Sequence, residues 1–316
     1  MPHVTFVHGI ANKPPKDQLL DNWKYYLSAG GLDLDANDVS CSMVYWADVM
    51  YPEPEADASS FESDSGDVGT VSEDDDLSWI DDVPRKERAF VDSLRQRLRF
   101  DVESPGNDEY VAEIPMEPSS EEQSPIPFEA VPLPWFIKRR AMKRLLKDVY
   151  YYLFNKPWKH ATSGNEVLVR DHIRELFINQ LAADAAGNDG AHVVVGHSMG
   201  TVISYDCLKH VDACVPVTAY MTVGSPLGIS EVHDNFAGYD RRDAFPAEKL
   251  GGGWVNVYDR LDPVAFDARL ANDYQRERTK VIIDEKVKNS GTWRHSSWKY
   301  FGQEVLCEHL INMLEL

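Results

Sequence analysis

The chain is short of positive charge. Its 32 Lys and Arg face 52 Asp and Glu, a formal net charge of −20. Phosphate recognition needs clustered cations, so nucleic acid is excluded as the main partner. Simple attraction to an anionic bilayer is disfavoured for the same reason. Cysteine is also scarce. Cys41, Cys207, Cys214 and Cys307 are scattered through 316 residues with no CxxC pair. That spacing suits neither a disulfide framework nor a thiolate metal site, and buried free thiols are expected. Long apolar runs are missing, none approaching the ~20 residues of a membrane-crossing helix. The opening Met1-Pro2-His3-Val4-Thr5-Phe6-Val7-His8 lacks the charged and apolar regions of a secretory leader. These absences together predict a cytoplasmic protein. Calcium-loop spacing is lacking as well, since Asp74-Asp75-Asp76 has no following Gly and Glu.

What is present is enough for a core. Apolar residues make up 43% of the chain, well above a disordered composition. Val4–Val7 reads as a buried strand ending in His8-Gly9, and Val39–Trp46 as a second. Leu19–Ala29 has helical spacing and stops at Gly30-Gly31. From Glu166 the pattern becomes regular. A helix over Glu166–Ala186 is followed by strand His192–Gly196, helix Thr201–Val211, strands Thr218–Val223, Trp254–Tyr258 and Lys280–Ile283, and helix Glu304–Leu314. Strands alternating with helices predict an α/β fold with a mostly parallel sheet covered on both faces.

Residues 51–165 break this pattern and read as one large, partly mobile insertion after the second strand. Glu53–Asp82 holds twelve acidic residues and no Lys or Arg, and Ser104–Pro134 is rich in Pro, Glu and Ser. Arg85–Arg99 has the composition of a charged helix. Residues 135–154 form a basic amphipathic helix. Met142, Leu145, Leu146, Val149 and Leu153 lie on one side, with Lys138, Arg139, Arg140, Lys143, Arg144 and Lys147 on the other. Two readings stay open for it. As a lid, its Trp135-Phe136-Ile137 and Tyr150–Tyr152 cover an apolar site or dip into a lipid interface. As a packed helix, its basic face is neutralised by the acidic tract. The packed reading is preferred over membrane docking, and a cap over the site is preferred over a helix remote from it.

Gly196-His197-Ser198-Met199-Gly200 follows a strand and opens a helix. In that context G-x-S-x-G is a sharp turn that lifts a serine nucleophile above the carboxyl edge of the sheet. Serine needs a base, and the base an orienting acid. Asp262 is preferred as the acid, because it lies beyond the strand end in a loop stiffened by Pro263. Asp259 is expected to pair with Arg260 or cap the turn. His295 is the preferred base, following the last strand and preceding the C-terminal helix. His309 lies inside that helix, His233 precedes the acid, and His192 and His210 flank other elements. His197 is placed to support its neighbours. Two backbone amides must hold the oxyanion of an acyl-transfer intermediate. Met199, after the nucleophile, supplies one, and Ile10, freed to turn by Gly9, supplies the other.

VHGI near the start, GHSMG, VGSPLG, DRLDPV and a late His together resemble the α/β-hydrolase superfamily on its lipase/esterase-like side. The resemblance covers roughly residues 1–50 and 166–316, the predicted catalytic core. It implies the catalytic triad Ser198, Asp262 and His295, an oxyanion hole from Ile10 and Met199, and a pocket bordered by His8, Gly9, Pro226 and Leu227. Ser225 reads as pocket wall. The function expected is a serine hydrolase cleaving a carboxylic ester, a lipid among the candidates, with no cofactor and no metal. Amide cleavage, acyl transfer, a membrane-acting phospholipase docked through residues 135–154, and a non-catalytic binding module are the alternatives. Nothing in the pattern specifies an oligomer.

Overall fold

The computed structural model describes residues 1–54, 77–97, 135–236, 239–240, 244–265, 267–274, 282–291 and 293–316, with backbone alone at 97 and 135–142. The strands are β1 (His3–Val7), β2 (Ser40–Val44), β3 (Pro157–Lys159), β4 (Glu166–Leu168), β5 (His192–His197), β6 (Ala219–Val223), β7 (Trp254–Tyr258) and β8 (Ile282–Lys286). The helices are α1 (Lys16–Ala29), α2 (Ala47–Met50), α3 (Arg85–Arg97), α4 (Trp135–Leu153), α5 (Val169–Ala186), α6 (Met199–His210), α7 (Ser230–His233), α8 (Ala271–Tyr274), α9 (Ser297–Phe301) and α10 (Glu304–Leu314).

All six expected sheet strands form. They pair in parallel in the order β2-β1-β5-β6-β7-β8. β1, β5, β6 and β7 are buried along their whole lengths, as expected of mostly apolar strands covered on both faces. Alternation along each strand sorts the side chains into two cores. Val4, Phe6, Val193 and Val195 meet Leu19, Trp23 and Leu27 of α1 and Leu306 and Leu310 of α10. Val7, Val194, Tyr220 and Trp254 face the opposite way, with Ile173 and Phe177 of α5 and Val202 and Ile203 of α6. Each such fully buried side chain contributes roughly 1.5–3 kcal/mol. Strand order reverses at β1, with β2 added on one side and β5 on the other, so the carboxyl ends of β1 and β5 border the crevice where ligands bind in open parallel sheets.

The described part of residues 51–165 belongs to the same core. Leu145, Leu146, Val149 and Leu153 of α4, and Val91 and Leu94 of α3, join the cluster that contains α5 and α6. The basic side expected of this helix is not kept apart from the core in this part of α4. Arg144 and Lys147 are only 5% and 7% exposed, and the Lys147 ammonium lies 4.7 Å from the centre of the Trp158 ring. Cation–π contact and apolar packing of long stems account for such burial. The side chains of Lys138, Arg139, Arg140 and Trp135-Phe136-Ile137 lie outside the described residues, as do most of the acidic tract (55–76) and the Pro-rich stretch (104–134). So does the expected start of the last strand at 280–281. The helix expected from Glu166 begins at Val169 instead. Glu166–Leu168 forms β4, which pairs antiparallel with β3. None of the helices in the described residues is long and apolar enough to cross a membrane.

Candidate active site

β5 delivers Ser198 to the carboxyl edge in a conformation that side chains rarely adopt. Its φ and ψ are 55° and −126°, a strain of order 1–3 kcal/mol that the surroundings must hold in place. The Ser198 amide donates to Val223 O at 2.9 Å, and Thr201 Oγ1 donates to Ser198 O at 2.7 Å. The flanking glycines are required by contact. A Cβ on Gly196 would come within 2.9 Å of the Gly200 carbonyl, and one on Gly200 within 2.1 Å of Val7 O. The elbow can therefore close only where strand and helix backbones touch.

Asp262 and His295 come together as expected. His295 Nδ1 lies 2.8 Å from Asp262 Oδ2. The same oxygen accepts the Tyr300 hydroxyl at 2.7 Å. Asp262 Oδ1 accepts the amides of Val264 at 2.8 Å and Ala265 at 3.3 Å. With the Tyr300 hydroxyl and two amides aimed at it, the carboxyl serves as an acceptor, which favours the tautomer with the proton on His295 Nδ1 and the lone pair on Nε2. That Nε2 is buried and makes no hydrogen bond among the described residues, and the same holds for Ser198 Oγ. No hydrogen bond joins the two atoms to each other. They are gathered by His197, whose Nε2–H donates to His295 O at 2.9 Å. The His197 and His295 rings lie 4.8 Å apart. Burial, then the neighbouring His295, push the His197 pKa well below its ordinary value, so this bridge is a neutral one.

Asp259, the rejected acid candidate, has a different task. Its Oδ1 accepts the Leu261 amide at 2.8 Å, capping the turn as expected. Its Oδ2 accepts the Asn289 amide at 2.6 Å and pairs with Arg294 at 3.2 Å. Asn289 Nδ2 donates to Arg294 O at 2.7 Å. The buried Asp259–Arg294 pair thus fastens the loop that carries Asp262 to the loop that carries His295. Tyr300, Asn289 and Arg294 escaped the sequence reading because no local spacing marks them.

The loop after β1 approaches Ser198 closely. A Cβ on Gly9 would lie 2.7 Å from Ser198 Cβ and 3.2 Å from its Oγ. His8 is wholly enclosed, with its ring stacked on Trp46 at 5.0 Å. The Trp46 amide donates to His8 Nε2 at 2.9 Å, which leaves Nδ1–H to donate to Gly9 O at 2.9 Å. Burial lowers the His8 pKa to about 3, so the ring stays neutral. Expected at the pocket border, His8 instead spends both ring nitrogens on backbone. Beyond Ile10 the chain turns left-handed at Ala11, φ 67°, and the Ala11 amide donates to Asp148 Oδ2 of α4 at 2.9 Å. The Ile10 and Met199 amides, the two expected oxyanion donors, have no acceptor among the described residues. Pro226 and Leu227 are buried. Leu227 O accepts the Tyr274 hydroxyl at 2.8 Å. Ser225 Oγ is engaged by Thr201 Oγ1 at 2.7 Å.

One group among the described residues has donor atoms near enough to share a cation. Those of His3, Asp184 and His192 lie within 4.8 Å of one another. They sit at the start of β1 and β5 and the end of α5, at the opposite edge of the sheet. Asp184 Oδ2 accepts Thr5 Oγ1 at 2.7 Å and Ser42 Oγ at 2.6 Å. His192 Nε2 pairs with Thr5 Oγ1 at 2.8 Å, and His3 Nδ1 with Ser40 Oγ at 2.8 Å. The donors already satisfy one another. No protein-family model matches the chain, and no curated protein is similar enough in sequence to match it.

Proposed function

We propose that this chain is a serine hydrolase with an α/β-hydrolase fold that cleaves carboxylic esters through an acyl-enzyme. Ser198 Oγ attacks the ester carbonyl carbon while His295 Nε2 takes its proton. The amides of Ile10 and Met199 hold the oxyanion, helped by the amino end of α6. His295 then protonates the leaving alcohol. Water repeats the cycle, breaking the acyl–Oγ bond and releasing the acid. Asp262, braced by Tyr300, holds the imidazole in the required tautomer and favours the imidazolium.

The observation that carries this reading is the pairing of two buried, unpartnered atoms. Buried polar groups are nearly always satisfied, yet Ser198 Oγ and His295 Nε2 have no hydrogen-bond partner among the described residues. Both belong to residues whose remaining polar groups are tightly fixed. Ser198 is 1% exposed, so an ester reaches it only when the covering chain moves. A turn of Ser198 about Cα–Cβ, or a shift of the ring, must close the contact for proton transfer. Contacts of this kind often tighten only with substrate bound. Ile10, Met199, Leu227, Val264 and Trp293 share one apolar cluster, an environment suited to an acyl chain. The burial of Arg144 and Lys147 counts against a docking helix for membranes.

Labelling with a fluorophosphonate, wild type against Ser198→Ala, tests the reading. Wild type is expected to label stoichiometrically and Ser198→Ala not at all. A p-nitrophenyl ester length series then gives the acyl preference. Undiminished labelling of Ser198→Ala refutes the mechanism.

A further inference from the structure

This inference rests on the hydrolase reading and concerns what makes its oxyanion loop competent. Two peptide planes flank Ile10. The first, Gly9–Ile10, is held from its carbonyl side by His8 Nδ1–H. In a trans peptide the N–H points opposite to the C=O, so this bond aims the Ile10 amide away from the His8 ring. The second plane, Ile10–Ala11, is held from its N–H side by Asp148 Oδ2. Asp148 comes from α4, 137 residues away in the chain. It is 1% exposed, and the Tyr51 hydroxyl donates to its Oδ1 at 3.2 Å. Tyr51 directly follows α2, so three separate segments converge on this carboxyl.

A buried carboxyl is an expensive way to hold one amide unless the amide matters. Ala11 is in the left-handed region, where a residue with a Cβ stays only if its surroundings insist. Arg144 and Lys147, on the same helix, favour the charged form of Asp148 against its burial, which raises its pKa. A carboxylate accepting from a backbone N–H makes a strong, directional bond.

We propose that Asp148, oriented by Tyr51, is a positioning residue that locks the Ile10–Ala11 turn and so sets the Ile10 amide in the oxyanion hole. The segment containing α4 is then part of the catalytic apparatus rather than only a cover, and any event that displaces α4 switches the hole off.

The test compares Asp148→Ala, Asp148→Asn and Tyr51→Phe in the full chain. It reads kcat and KM for a p-nitrophenyl ester, the fluorophosphonate inactivation rate, and the thermal midpoint. Loss of one oxyanion donor costs about 10²–10³-fold. Asp148→Ala is expected to lose about 10²-fold in kcat and in inactivation rate, with KM within about 3-fold. Asp148→Asn keeps an oxygen that can accept the Ala11 amide, and is expected within about 5-fold of wild type. Tyr51→Phe removes a single hydroxyl and is expected to lower kcat about 3–10-fold, which keeps the test decisive if Asp148→Ala does not fold. A folded Asp148→Ala with wild-type kcat overturns the inference. So does an Asp148→Asn as impaired as Asp148→Ala, or a Tyr51→Phe with unchanged kcat. A wild-type chain that neither labels nor hydrolyses overturns the hydrolase reading first, and this inference with it.

Discussion

The two edges of the sheet use the same side-chain types to opposite ends. At the amino edge, Thr5, Ser40, Ser42, His3, His192 and Asp184 form a network in which hydroxyls, imidazoles and carboxylate satisfy one another. At the carboxyl edge, Ser198, His197, His295 and Asp262 are buried, whereas Ser40 and Ser42 of the amino edge are half-buried. Asp262, Tyr300 and His197 Nε2 are engaged, while among the described residues Ser198 Oγ and His295 Nε2 are left without partners. The first arrangement stabilises, because a closed buried network has nothing left to offer a ligand. On the proposed reading, the second spends stability, through a strained Ser198 and two unpaired atoms, to keep a nucleophile and a base ready. Residue type alone does not distinguish a structural cluster from a reactive one. On the proposed reading, the distinction lies in an unsatisfied hydroxyl and an unsatisfied imidazole nitrogen held in one place.

Substitutions should separate the edges cleanly. Asp262→Asn deprives His295 of its acceptor and reverses the tautomer preference, so kcat should fall about 10³–10⁴-fold with little change in KM. The contrasting change at the amino edge is Thr5→Val, which removes one hydroxyl shared by Asp184 and His192. It should cost about 1–3 kcal/mol in denaturant-measured stability and leave ester turnover within about 2-fold. A Thr5→Val variant with crippled turnover would erase the proposed division of labour.

A pH titration sharpens the contrast further. Burial first, then repulsion from His3, lower the His192 pKa from 6.5 to about 4. The folded chain thus holds this ring neutral while the unfolded chain protonates it. Stability is fully present above pH 6.5 and is lost as the pH falls towards 4, by about 3 kcal/mol from this group. His192→Gln should flatten the stability profile in that window by a similar amount, whatever constant offset the lost hydrogen bond adds. Asp148 and Asp259, both raised by burial, act with the opposite sign and are untouched by that variant. An unchanged slope would mean the amino-edge histidine is not held neutral.

Much of this was readable from local pattern. The run His192–Gly196 ending in His197-Ser198-Met199-Gly200 marks strand, turn and helix within nine residues, so the elbow needed no tertiary information. The preference for Asp262 over Asp259 followed from loop position, and the Asp262–His295 bond agrees with it. What escaped was long-range. The Asp148–Ala11 bond spans 137 residues and the Arg294–Asp259 pair 35. Neither leaves a trace in spacing. Arg144 and Lys147 read as part of a basic side set apart from the apolar one, because charge, taken alone, resists burial. Trp158 and the core around α4 override that preference. The β3–β4 hairpin was missed because strands of three residues fall below any periodic signal, and Glu166–Leu168 reads equally well as the start of a helix.

The most direct test of the central claim is to trap the ester on the enzyme. Wild-type chain mixed with a p-nitrophenyl ester and quenched in acid within the first turnover should carry one acyl group. Peptide mapping should place its added mass on the hydroxyl of Ser198. An acyl group on any other residue, or p-nitrophenol released with no acylated chain at any quench time, would contradict the account.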